Sequence, residues 1–68
     1  MNILQPKAGD RFTVTYRGHE HRYEVLDVDA DGDVNYQCAG RGNWVSLPYW
    51  RALFTRVTER GGKITEGK

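Results

Sequence analysis

Apolar and polar residues alternate along two short runs of the chain, residues 12–16 (FTVTY) and residues 34–38 (VNYQC). In each run the apolar side chains occupy every second position. Successive side chains of a β-strand point to opposite faces, so a period of two is typical of a strand with one buried face and one wet face. The pattern therefore predicts two strands at these positions.

A third apolar run precedes an acidic turn. Val25, Leu26 and Val28 lead into residues 29–32 (DADG), and the alternating run at 34–38 follows. Two such runs around an Asp/Gly turn predict a β-hairpin. The apolar phase changes between Val25 and Leu26, inside a strand expected over about residues 21–29. A change of phase within a strand predicts a bulge or a sharp bend.

The remaining chain completes a small all-β domain in this interpretation. Residues 44–47 (WVSL) predict a fourth strand, and Pro48 ends it because proline has no amide proton to donate. We expect a lead-in over residues 1–8, a single helical turn over 48–53, a last strand over 54–58 and a disordered tail over 59–68. The predicted fold class is an all-β, SH3-like barrel of about five strands over residues 9–58, with the helical turn before the last strand. Its segment order is also similar to that of Tudor-type barrels.

The composition is ordinary for a small soluble globular protein. A chain of 68 residues is enough for one domain. The single cysteine cannot form an internal disulfide, which fits a reducing compartment. The first residues (MNILQPKAGD) lack the pattern of a signal peptide, and no apolar stretch reaches the roughly 20 residues of a membrane span. We therefore expect the protein in the cytoplasm of its cell.

Charge is unevenly distributed along the chain although the net charge is only +1. Residues 1–40 contain four Lys/Arg and seven Asp/Glu, whereas residues 41–68 contain six Lys/Arg and two Asp/Glu. A near-neutral total argues against a dedicated nucleic-acid binder, but a basic second half leaves an accessory nucleic-acid-binding role open. The residues that would carry this alternative are Arg41, Arg51, Arg56, Arg60 and Lys63, with Lys68 at the end of the chain.

Aromatic and basic side chains are concentrated around the predicted fourth strand and the turn that follows it. If Val45 and Leu47 face the core, Trp44 faces outward. Tryptophan and arginine are frequent anchors at protein interfaces, and the same pair can stack on single-stranded nucleic acid. The alternative is that Trp44 and Trp50 both cover the ends of the barrel as part of the core. The candidate partner-binding residues are Arg41, Asn43, Trp44, Tyr49, Trp50 and Arg51.

Three patterns suggest other chemistry. Residues 27–35 fit part of an EF-hand calcium loop, but its twelfth position is Cys38 instead of the bidentate glutamate. His19 and His21 alternate on a strand and, with Cys38, are possible zinc ligands. Cys38 also lies in phase with the apolar residues of its strand, which favours a core position over a nucleophile. We expect no metal, no cofactor and no catalytic residue, and we therefore expect that the protein is not an enzyme.

The second half of the chain also carries the residues of a family resemblance. Val34, Tyr36, Ala39-Gly40 and the segment LPYWRALFTRV, in which Trp50 lies four positions before Phe54-Thr55-Arg56-Val57, resemble a family of short, uncharacterised proteins encoded by prophages of enteric bacteria. The resemblance covers about a third of the chain. It implies a phage or prophage origin and a cytoplasmic location inside a bacterium, but no activity. The first functional hypothesis is an adaptor or inhibitor that binds a host or phage protein. A monomer or a small homo-oligomer is compatible with this hypothesis.

Overall fold

The fold is a five-stranded antiparallel sheet with one helix before the last strand. The computed structural model describes residues 2–67. The sheet order is β4-β3-β2-β1-β5. This arrangement confirms the predicted all-β fold of five strands, with a single helical element before the last. The elements are β1 (Arg11–Tyr16), β2 (His19–Val28), β3 (Val34–Cys38), β4 (Arg41–Val45), α1 (Leu47–Glu59) and β5 (Lys63–Glu66).

The bulge predicted in the second strand is present. The pairing between β2 and β3 shifts register between Val25 and Asp27. Val25 is buried and Val28 is half-buried, while Leu26 between them points outward. One extra residue therefore keeps both valines on the inner face of a bending sheet.

The core is formed by the inner face of the sheet and one face of α1. Phe12 is stacked on Tyr23 with ring centroids 5.2 Å apart, and meets the rings of Trp50 and Phe54 edge-on at 5.9 and 5.3 Å. Such aromatic pairs contribute about 0.5–1.5 kcal/mol beyond the area they bury. The buried side chains of this core come from three strands and the helix: Phe12, Val14, Val25, Val34, Trp50 and Phe54.

The single helical turn over 48–53 and the strand over 54–58 are wrong, because α1 extends through both. Ser46 caps the helix by accepting the Tyr49 backbone N–H at 3.3 Å, and Pro48 lies in the first turn, where no amide donor is needed. Residues 47, 50, 54 and 57 are apolar and recur with helical spacing. Packing of this face on the sheet outweighs the strand preference of Phe54 and Val57.

The disordered tail predicted over 59–68 is wrong for the part that forms β5. Gly61 takes a positive φ of 85° and reverses the chain after the helix. A Cβ atom at Gly62 would clash with the side chain and carbonyl of Val57, so the turn packs closely. Ile64 then pairs with Val14 and packs against the core. Met1 of the predicted lead-in and Lys68 of the predicted tail lie outside the described residues.

Membrane crossing by a helix is not supported in this part of the chain. Among residues 2–67, no helix combines the length and the apolar character needed to span a bilayer. The helix α1 is only 13 residues long and has a strongly polar outer face.

Candidate functional site

Two large aromatic side chains lie exposed beside each other at one edge of the fold. Trp44 is 52% exposed and Tyr49 is 58% exposed. They line a shallow groove of about 380 Å³, called here the Trp44–Tyr49 groove. None of its described lining residues is charged. These residues are Tyr36, Asn43, Trp44, Val45, Ser46 and Tyr49.

The end of β4 and the start of α1 bring the two aromatic side chains together. β4 is an edge strand, and Trp44 pairs with Asn35 of β3 while Val45 pairs with Val34. Val45 is half-buried against the core, so Trp44 takes the opposite, exposed face, as its sequence phase predicts. The helix begins only two residues after Val45, which places Tyr49 in its first turn.

Tyr36 connects the groove to the core. Its ring lies 5.4 Å from Trp50 and 5.7 Å from Tyr23. Burial raises the pKa of the Tyr36 phenol, the nearby Tyr49 raises it further, and a hydrogen bond with Asn43 opposes the rise. The phenol is therefore kept neutral, so the groove offers hydroxyl and amide groups without a formal charge.

Trp50 belongs to the core and not to the predicted surface. It is 0% exposed, and its indole Nε1 donates a hydrogen bond to the Ile3 carbonyl oxygen at 2.7 Å. Its inclusion among the partner-binding residues is therefore wrong. The following residue, Arg51, is exposed, but its Nε donates to the Leu4 carbonyl oxygen at 2.8 Å. Both side chains hold the N-terminal lead-in against the helix.

The other predicted surface residues divide between the groove and its strand. Asn43, Trp44 and Tyr49 meet in the groove, whereas Arg41 lies at the start of the same strand, opposite Cys38. The sequence prediction missed three of the lining residues. Alternation predicts Tyr36 and Val45 in the core, and both do pack against it, but they also reach the groove because β4 is an edge strand. Ser46 reaches the groove as the N-cap residue of α1, a helix start that the sequence prediction does not include.

The basic residues of the nucleic-acid alternative are distributed over the whole fold. Arg41 lies in β4 and Lys63 in β5, which are the two opposite edges of the sheet. Arg51 and Arg56 lie on α1, and Arg60 is its C-terminal cap residue. These side chains are exposed, and none of them is among the described residues that line the Trp44–Tyr49 groove.

A larger surface cavity of about 650 Å³ near the β3–β4 turn contains a polar network. The Glu24 carboxylate accepts from Arg11 Nε at 3.3 Å and from Gln37 Nε2 at 3.1 Å. These three residues lie on adjacent strands β1, β2 and β3, so the network links cross-strand neighbours. The donors and the acceptor of this network are hydrogen-bonded to one another, so its role in stabilising the sheet accounts for these polar residues.

The acidic turn is built by backbone hydrogen bonds. One carboxylate oxygen of Asp29 accepts the backbone N–H of Asp31 at 3.0 Å and that of Asp33 at 2.8 Å. Gly32 takes a positive φ of 89°. The abundance of Asp and Gly therefore reflects the turn itself. In the described part of the chain, no three His, Cys, Asp or Glu residues are grouped so that they could hold a metal ion.

Cys38 lies half-buried beside Tyr23 at the inner face of the sheet. Burial raises the pKa of Tyr23 to about 12, and the neighbouring Cys38 contributes to the rise, including through a side-chain hydrogen bond. A phenol with this pKa stays protonated at neutral pH. Tyr23 is therefore a poor candidate for a base that could activate the Cys38 thiol.

Comparison with known proteins adds no family to these observations. No family model matches the chain, and neither a curated protein nor a solved structure is significantly similar to it. What the Trp44–Tyr49 groove can bind therefore has to be inferred from its own residues.

Proposed function

We propose that this chain is a non-enzymatic binding module that engages a bacterial or phage protein through the Trp44–Tyr49 groove, as an adaptor or an inhibitor. One observation carries the proposal: Trp44 and Tyr49 are each more than half exposed and line one groove. Leaving a large aromatic side chain in water forfeits about 1.5–3 kcal/mol of burial free energy. Burial of both by a partner would recover much of this free energy.

The chemistry of the groove favours a protein partner. Aromatic side chains that fill a partner's pocket are among the commonest binding hot spots. The groove offers two aromatic rings, the Tyr36 hydroxyl and the Asn43 amide, with no carboxylate, histidine or thiol among its lining residues. Such a surface suits an apolar segment with a few hydrogen-bonding groups. The phage or prophage setting and the cytoplasmic location are part of the proposal and rest on the family resemblance of residues 34–57.

Trp44→Ala is expected to abolish partner capture without unfolding the domain. The experiment uses tagged protein and a bacterial lysate, with and without nuclease. The expected result is a stoichiometric protein band that survives nuclease and is absent with the variant. Leu26→Ala is the matched control, because Leu26 is also an exposed apolar side chain at 42% but lies on the β2 bulge, outside the groove.

Two outcomes would redirect the proposal. Equal capture by the wild type and the Trp44→Ala variant would show that the groove is not the binding site. Recovery of nucleic acid alone, or of proteins that disappear with nuclease, would favour the basic residues instead. In that case affinity should fall steeply with salt, with a log–log slope of about −5 for six phosphate contacts on duplex DNA.

A further inference from the structure

The outer side of β4 has few of the features that usually protect an edge strand, apart from its short length and the charge of Arg41 at its start. Arg41, Gly42, Asn43 and Trp44 are all exposed, and the strand contains no proline or lysine. Natural edge strands are usually short, bulged, covered or interrupted by charges and proline. The opposite edge, β5, has only four residues and carries Lys63. An edge without proline, bulge or covering segment among the described residues, and with an exposed tryptophan, is suited to pairing with another strand.

The sequence of β4 is self-complementary for antiparallel pairing centred on Asn43. In that register Gly42 of one copy lies directly opposite Trp44 of the other, on the same face of the joined sheet. The surface at Gly42 is not crowded: a Cβ atom there would make only ordinary van der Waals contacts, with the Tyr36 carbonyl oxygen at 3.8 Å and the Asn35 side chain at 4.0 Å. An indole ring can therefore lie across this glycine, an arrangement known to stabilise strands that contain glycine.

Charge at the two ends of β4 favours the same register. Arg41 stands at the start of the strand. Its end adjoins the acidic turn, because Val45 pairs with Val34, the residue that directly follows Asp33. Antiparallel pairing places the basic start of β4 in each copy beside the acidic turn of the other copy. Because the dimer has two-fold symmetry, this attraction occurs twice.

We propose that two copies of this chain pair through their β4 edges, antiparallel and centred on Asn43, into one continuous ten-stranded sheet. This dimer goes beyond the proposed function and uses the same Trp44. A second copy and a partner protein would therefore be alternative occupants of this edge. The contact is only five residues long in each copy, so the pairing is weak and a tighter partner displaces it.

The register is tested by a symmetric disulfide. Opposite Cα atoms of an antiparallel pair are about 4.5–5.5 Å apart, within the range that a disulfide bridges. In a Cys38→Ser background, Asn43→Cys is expected to cross-link under mild oxidation into a covalent dimer. Thr65→Cys, on the exposed edge strand β5, is the matched control and is expected to stay a monomer. Equal cross-linking by the two variants, or none by Asn43→Cys, would overturn the proposed register.

The equilibrium is tested by sedimentation of the wild type over a wide concentration range. The mass is expected to rise from 7.8 kDa toward twice that value, and the Trp44→Lys variant is expected to remain at 7.8 kDa with unchanged circular dichroism. A wild type that stays monomeric throughout would overturn the dimer. If that monomer still captured a partner through Trp44, the proposed function would stand. A dimer that captures no partner protein would support the β4 pairing and contradict the proposed function.

Discussion

Trp50→Ala is expected to destabilise the domain by about 3–5 kcal/mol, the usual cost of removing a large buried aromatic side chain. Trp50 is completely buried and touches the rings of Phe12, Phe54 and Tyr36. The substitution also leaves the Ile3 carbonyl oxygen without its indole donor. Domains of this size have little stability to lose, since natural proteins are stable by only about 5–15 kcal/mol. A large unfolded fraction is therefore expected at 25 °C.

Urea unfolding followed by far-ultraviolet circular dichroism measures this loss. The matched control is Trp44→Ala, which removes the same side chain from an exposed position and is expected to cost about 0.5 kcal/mol or less. Equal losses for the two variants would mean that the two tryptophans do not divide between core and surface, and both the core and the groove would have to be reassigned.

Removal of residues 63–68 is expected to destabilise the domain by about 3 kcal/mol. This is comparable to the cost of removing one large buried aliphatic side chain and leaving a cavity. The shortened chain loses the pairing of β5 with β1. It also loses Ile64, which packs against the core, and exposes the edge of β1 beside the buried Val14. Urea unfolding of the full-length and shortened chains checks the difference. A tail without structure could be removed at almost no cost.

Single substitutions in β5 keep this test informative if the shortened chain does not fold. Ile64→Ala is expected to cost about 1–3 kcal/mol, because the side chain is half-buried against the core. Thr65→Ala removes an exposed side chain from the same strand and is expected to cost about 0.5 kcal/mol or less. Near-zero effects of both would contradict a β5 that packs on the sheet.

Strand prediction succeeded where one face of the sheet is buried and the other is wet. Residues 12–16 and 34–38 alternate strictly, and both form strands with the predicted inner residues. The bulge was predictable because Val25 and Leu26 break the phase. In each case a period of two is imposed by packing on one side only, and that physical cause is visible in a single sequence.

The helix was missed because its apolar residues fit two periods. Phenylalanine and valine, the residue types at 54 and 57, are common in strands, so the sequence predicts a single helical turn over 48–53 followed by a strand over 54–58. Recognition of Ser46 as a cap, with apolar residues at 47, 50, 54 and 57, would have predicted α1 and placed Trp50 in the core. The same error hid β5, since Ile64 alone gives no pattern and its partner β1 is about 50 residues away in sequence.

The site was predicted only as far as the strand pattern reaches. The phase of β4 correctly placed Trp44 outside, because it depends on local alternation alone. The positions of Tyr36, Trp50 and Arg51 depend on how the helix and the lead-in pack on the sheet. Those contacts join residues distant in sequence, and a single sequence contains no local signal for them.

The most direct test of this account is the solvent exposure of the two tryptophans, measured one at a time. Trp44→Phe leaves Trp50 as the only indole, and Trp50→Phe leaves Trp44. At low protein concentration, acrylamide should quench Trp44 fluorescence strongly and Trp50 fluorescence weakly, with the Trp50 emission shifted to shorter wavelength. Equal quenching of the two, or a Trp44 shielded in the dilute monomer, would contradict an exposed Trp44–Tyr49 groove and remove the basis of the proposed function.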